Sequence, residues 1–243
     1  MGSRNRGTRF GGLLHACVLA GALCSGLAGC QKLFTTSLAK SMAGSESLPS
    51  NLSVDEASDL VQQVRESGDA KLAGELAGTL VDEIAGTTNA GKKQELEAAA
   101  AAAAVVASDA TAPLTTLINA YADGSTPSSQ ALVALVGTIK ADASSDIVTA
   151  CSYLDPTKGV SDPSATQVTL SATDYLVAAV VIMASVTPGG ADPSTFNYGS
   201  LSGADAAKVA TAENIISEAV SLVKPGSDGY SLLQSISEKF QLM

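Results

Sequence analysis

Lys92-Lys93-Gln94-Glu95-Leu96-Glu97-Ala98-Ala99-Ala100-Ala101-Ala102-Ala103-Ala104-Val105-Val106-Ala107 is the stretch that decides the class of fold. Seven consecutive alanines have the highest intrinsic helix propensity available, because alanine loses no side-chain entropy in a helix. Their small side chains let neighbouring helices approach closely, so the run reads as a packing feature. The segments on either side are helical too. Ser53 with Glu56 forms a capping box, after which Val54, Ala57, Leu60, Val61 and Val64 make one apolar face to about Glu66. Leu72, Leu76, Leu80 and Ile84, beside Ala73, Ala77 and Val81, predict a helix near 69–85.

Downstream the same spacing continues. Thr111 and Pro113 stand where an N-cap and a first-turn proline belong, followed by Leu114, Leu117, Ile118 and Tyr121; Thr126 and Pro127 repeat the device before Leu132, Leu135, Val136 and Ile139. Ile147, Val148, Cys151 and Leu154 share a face, which places the Cys151 thiol in a core. A long loop over 155–170 has room for an extended piece at Gln167 to Leu170. Ser171 with Asp174 caps the most hydrophobic helix, Tyr175 to Val186, which is too short to span a bilayer and reads as the central helix. A second long loop, 188–201, carries Phe196, Asn197 and Tyr198, either an exposed patch or a lid over the helix before it. Ser202 with Asp205 predicts a cap for a helix to about Val223, and Lys224-Pro225-Gly226 turns into a last helix with Leu232, Leu233, Ile236 and Phe240 inward. The expectation is an all-α irregular helical bundle or helical-hairpin array of about nine helices, a single domain over 53–243. Helix starts near 54, 91 and 128 are 37 residues apart, and this period resembles that of tetratricopeptide-like helical arrays. That family's Trp-Leu-Gly-Tyr and Ala-Phe-Pro pattern is absent, so the likeness is to general architecture alone.

The chain has 243 residues, 46% hydrophobic and 4% aromatic, with no Trp and 24 acidic against 14 basic side chains. This apolar fraction is ample for a core. The net charge of −10 argues against nucleic-acid binding.

Residues 1–9 carry Arg4, Arg6 and Arg9 and no acid, and an uncharged run from Phe10 to Gly29 follows, the pattern of a signal peptide. The run ends in Leu27-Ala28-Gly29-Cys30, which resembles the bacterial lipobox: small residues directly before a cysteine that receives diacylglycerol. The resemblance implies cleavage before Cys30, lipidation of Cys30 and a lipidated N-terminus and linker over 30–52. An uncleaved anchor is the alternative, because Phe10 to Cys30 is 21 residues long, although five glycines and His15 make it a weak spanning helix. N-myristoylation is excluded by Arg6. Cleavage takes the basic groups from 14 to 11 and the net charge from −10 to −13, and removes the single His, Cys17 and Cys24. Cys151 is then the sole unacylated thiol, and one thiol makes no intramolecular disulfide.

Cys30-Gln31-Lys32-Leu33-Phe34-Thr35-Thr36-Ser37-Leu38-Ala39-Lys40 is similar to the start of mature spirochaete lipoproteins over about a dozen residues, which implies a bacterial envelope location and nothing about activity. Gln31, by analogy with Gram-negative sorting, permits the outer membrane. Phe34, Leu38 and Met42 lie at i, i+4, i+8, as in a short helix lying on a membrane or a first core helix.

Without His after cleavage, Ser-His-Asp, Cys-His and His-based zinc chemistry are excluded. No P-loop, GxGxxG or EF-hand pattern occurs, so neither a metal nor another cofactor is expected. Glu95 with Glu97, and Asp55 with Glu56 and Asp59, read as solvated helix faces or first-turn dipole partners. If successive helices from 112 alternate up and down, Tyr121, Tyr153, Tyr175 and Tyr230 fall at one end of the bundle beside Asp123, Asp155, Asp174 and Asp228. That end is then a possible surface for a basic or amphipathic ligand or a partner protein. The plainer alternative is tyrosines sealing helix ends with their hydroxyls in water.

The sequence therefore leads to a lipid-anchored, non-enzymatic binding or scaffolding module of the bacterial envelope, held to the membrane through acylated Cys30, with an envelope protein or small ligand as partner. A ligand-binding accessory lipoprotein of a periplasmic transport system is second. A carboxylate-only hydrolase is a third class without positive support.

Overall fold

Asn89 opens the alanine-rich helix by accepting the Lys92 N–H on its side chain at 2.9 Å, and the helix then runs through the whole alanine stretch before Ser108 ends it. In the computed structural model, which describes residues 48–122 and 129–239, nine α-helices and two short 3-10 turns occur among the described residues, and no strand. In chain order they are α1 (Val54–Ser67), α2 (Ala70–Gly86), α3 (Ala90–Ala107), α4 (Thr111–Ala122), α5 (Ser129–Asp142), α6 (Ser145–Ser152), α7 (Ala172–Val186), α8 (Gly203–Ser221) and α9 (Asp228–Lys239). The 3-10 turns are Pro163–Ala165 and Tyr198–Ser200. The protein is an all-α array.

Its frame is two antiparallel hairpins, α2–α3 and α7–α8, with α3 packed on α7 and the short α6 touching all four. Helix α1 lies on α3 and α2, α5 on α7, and α9 joins α8 to α4. A repeat array packs each unit on its neighbours alone; the α3–α7 and α2–α6 contacts cross that order, so an irregular bundle describes the packing better than a 37-residue repeat. All seven alanines are buried, none more than 2% exposed. The two helices also meet where α2 begins and α3 ends: a Cβ added at Gly74 of α2 would be in ordinary van der Waals contact, 3.8 Å, with the Ala107 methyl. In α7 every residue from Tyr175 to Ala184 is buried. Among the described residues no helix is long and apolar enough to cross a membrane.

The predicted caps of α1 and α7 form in full. Ser53 and Glu56 exchange both capping-box bonds, as do Ser171 and Asp174, and Gly68 closes α1 in the left-handed region at φ 66°. Elsewhere the details differ. Ser202 precedes α8 but makes no side-chain cap bond. Thr111 is the first residue of α4 and not its cap, which leaves Pro113 within the first turn. Gln167 to Leu170 pairs with no strand; its main chain is bound by helix side chains instead. Leu233 of α9 is buried as expected. Thr126-Pro127, Phe240, Phe34, Leu38, Met42 and Cys30 lie outside the described residues, as do the side chains of Leu117, Ile118, Leu232 and Ile236.

Candidate functional site

Asp155 is the most heavily bonded polar residue of the predicted tyrosine end, and its position follows from a local motif. In Asp155-Pro156-Thr157 the carboxylate accepts the Thr157 N–H at 3.0 Å and the Thr157 hydroxyl at 2.7 Å. The same turn recurs at Asp162-Pro163-Ser164, at 3.0 and 2.6 Å, and at Asp192-Pro193-Ser194, at 2.9 and 2.7 Å. Proline directly before the donor presets the backbone, and a short acceptor side chain two residues before the donor then closes the turn on itself.

Of the three only Asp155 is fully buried. Its two oxygens also accept from the Asn214 amide on α8 at 3.2 and 3.3 Å and pair with Lys158 at 3.3 Å. Lys158 in turn donates to the Thr211 hydroxyl, one turn before Asn214. Desolvation pushes the Asp155 carboxyl upward, but the bonds from Thr157, Asn214 and Lys158 outweigh it and hold the group below its ordinary range. The chain then doubles back: Val160 N–H donates to Tyr153 O at 2.7 Å, so close that a Cβ on Gly159 would meet that oxygen at 2.1 Å. Glycine is therefore required there.

The structure sets Asp155 and Tyr175 against consecutive turns of α8, Asp155 bonded to Asn214 and Tyr175 within electrostatic reach of Glu218. Neither is on the surface, which corrects the exposed aromatic and acidic face expected from sequence: both are 0% exposed. Tyr153, two residues before Asp155, and Tyr230 are half-buried, and Tyr230 accepts a long 3.5 Å bond from Gln234 on its own helix. The side chain of Tyr121 lies outside the described residues. The Tyr175 hydroxyl is buried with no hydrogen-bond partner among the described residues, and burial, followed by the charges of Glu218 and Asp174, pushes its pKa up to about 12. Asp155 thus ties the turn after α6 to α8, while Tyr175 packs inside the bundle without a polar bond.

Glu97, too, departs from the solvated face its sequence suggests: it is 4% exposed, and burial raises its carboxyl pKa against the opposing pull of Lys93 at 3.8 Å. Its charge lifts the Tyr153 hydroxyl as well, after burial. The only sequence signal was its place directly before the alanines, on a helix with no polar side to reveal which way it faces.

The loop after α7 proves to be a lid. Tyr198 is 5% exposed. The Thr187 hydroxyl gives its one hydrogen to Met183 O at 2.7 Å, so Tyr198 is the donor in their 2.8 Å bond. Phe196 stacks edge-on against Tyr198 with ring centroids 4.9 Å apart.

Burial pushes the Cys151 thiol up to about 12, which makes it a poor nucleophile. An open crevice of about 360 Å³ is lined by Leu48, Ser50, Asn51, Thr79, Asp82 and Glu83, with Asn51 in the left-handed region at φ 75°. Glu83 is already paired with Lys92 at 2.8 Å. Among the described residues no three His, Cys, Asp or Glu side chains group as a metal site. Comparison with protein-family models, with characterised proteins and with solved structures finds no match to this chain.

Proposed function

We propose that this chain is a lipid-anchored lipoprotein of the bacterial cell envelope whose helical domain is a binding or scaffolding module and not an enzyme. The observation that carries it is Leu27-Ala28-Gly29-Cys30 at the end of an uncharged run that follows three arginines. The acyl chains supply membrane residence, because a strongly acidic domain is repelled by anionic lipid headgroups. The binding role is supported by how the polar groups of the domain are used. Asp155, Asp162 and Asp192 close their own turns, and the Cys151 thiol is inert. What such a domain offers a partner is shape and surface.

Radiolabelled palmitate fed to producing cells tests the anchor: the unaltered chain takes up label, whereas Cys30→Ser takes up none and accumulates as the unprocessed precursor. Label on Cys30→Ser overturns the assignment. Native mass spectrometry of protein extracted from its own membranes in mild detergent tests the binding role. A stoichiometric protein partner is expected; a lone chain carrying a small-molecule mass favours the transport-accessory role instead.

A further inference from the structure

Residues 162–171 cross from the first turns of α3 to the start of α7, and the middle of this strap is held the way a groove holds an extended peptide. Exposure alternates along it: Gln167 and Thr169 face solvent while Val168 and Leu170 are buried. Thr166 and Ser171, on either side, have extended dihedrals. Side chains from α1 and α3 take up its main-chain groups. Glu95 accepts the Gln167 N–H at 2.8 Å, Arg65 donates to the Thr169 carbonyl at 2.8 Å and Gln94 donates to the Asp162 carbonyl at 3.0 Å. One contact reads a side chain, the Gln167 amide donating to Asp55 at 3.0 Å.

Within residues 166–170 two of the three bonds from α1 and α3 take up main chain and would accept any peptide sequence, so selectivity falls on the two buried positions two residues apart. This is the division of labour of extended-peptide recognition, main chain for affinity and alternate side chains for specificity. Both ends of the strap, moreover, are folded by bonds of their own. Asp162 is satisfied by Ser164 at one end, and Ser171 and Asp174 complete the capping box of α7 at the other. Lifting the middle leaves those bonds and the 3.3 Å Arg65–Asp174 pair in place; it breaks the Thr166 hydroxyl's bond to Val168 O at 3.0 Å and takes Val168 and Leu170 out of the interior.

We propose that α1 and α3 between Asp55, Arg65 and Glu95 form a groove for an extended peptide, that residues 166–170 fill it in cis, and that a partner protein's extended segment with apolar side chains at alternate positions displaces them. The inference rests on the binding-module part of the proposed function and is independent of the lipid anchor.

The probe is a fluorescent peptide, Ala-Thr-Gln-Val-Thr-Leu-Ser, copied from residues 165–171. In the unaltered full chain the tethered strap outcompetes it. In the double variant Val168→Asp, Leu170→Asp the strap no longer fits, and the peptide is expected to bind at least about tenfold tighter than to the unaltered chain. Adding Arg65→Ala to that variant weakens the peptide again, and a peptide with Asp at its Val and Leu positions does not bind. Equal, weak binding to the unaltered chain and to a double variant of full helical content overturns the proposal. If the double variant does not fold, hydrogen exchange on the unaltered chain decides. The Gln167 amide is expected to exchange through an opening that leaves the α7 amides protected, and exchange only together with α7 overturns it. Palmitate labelling does not depend on the strap, and a captured partner that the 165–171 peptide does not compete away leaves the binding role standing while this inference fails, so the two readings fail separately.

Discussion

Glu97 brings a carboxylate to the edge of an alanine core, and its consequence is a pH dependence of known sign. Its folded-state pKa is raised above the unfolded value, so the stability it contributes is present below the unfolded pKa of about 4.3 and is lost as pH rises through the folded value. Glu97→Gln removes that loss. The variant should have a higher urea midpoint than the unaltered chain at neutral pH, and the two should converge at about pH 4. Asp155 has the opposite sign. Its pKa is held low in the fold, so its contribution is present above the unfolded value of about 3.9 and is lost as pH falls through the folded one. Asp155→Ala leaves Asn214 and the Thr157 N–H without their acceptor and should cost about 2–4 kcal/mol at neutral pH, read from denaturant unfolding. At Gly159 the obstacle is steric: a methyl at 2.1 Å from Tyr153 O should cost Gly159→Ala at least about 2 kcal/mol.

At the scale of the element, the alanine helix inverts the usual advice about propensity. Leucine is nearly as good a helix former as alanine, so Ala101→Leu would be harmless on an exposed helix. Here Ala101 is fully buried between helices, and the same change should destabilise by about 1–3 kcal/mol, seen as a lower Tm with helicity intact. Most elements were legible in the sequence because their signals are local. The capping boxes at Ser53 and Ser171, the 3.6-residue stripes of α1 and α2 and the all-round apolar α7 are set within one or two turns. What was not legible depends on partners far along the chain. Nothing near Glu97 says that Tyr153, at the end of α6, will come within reach of its charge, and nothing near Gln167 says that Glu95 and Asp55 will hold it. Tyr175 was placed correctly at the start of α7, but its depth follows from α8, which begins about thirty residues later. Periodicity reports which residues share a side of a helix; it does not report how many helices gather there.

Across the whole molecule, Cys151 serves as a sensor of cooperative opening. It is fully buried on α6, the helix that touches both hairpins, and its high pKa silences it in the fold. In the acylated, processed chain proposed above, a disulfide-exchange reagent should find no reactive thiol in native protein and one in urea. The labelling rate should follow global unfolding rather than local fraying. Rapid labelling under native conditions would mean that α6 detaches independently and that the two hairpins are not one cooperative unit.

The strap also fixes an order of assembly in time. Arg65 finds the Thr169 carbonyl 104 residues further on, and Asp55 finds Gln167 at a separation of 112. A chain released N-terminus first can form α1, α2 and α3 early, since their contacts are close in sequence, but Arg65 and Asp55 must wait until the strap has emerged. Contacts of such long separation form late in folding. Arg65→Ala should therefore leave the refolding rate almost unchanged and speed unfolding, the signature of a bond made after the rate-limiting barrier. The first helix of the domain is thus among the first to form and among the last to be fastened.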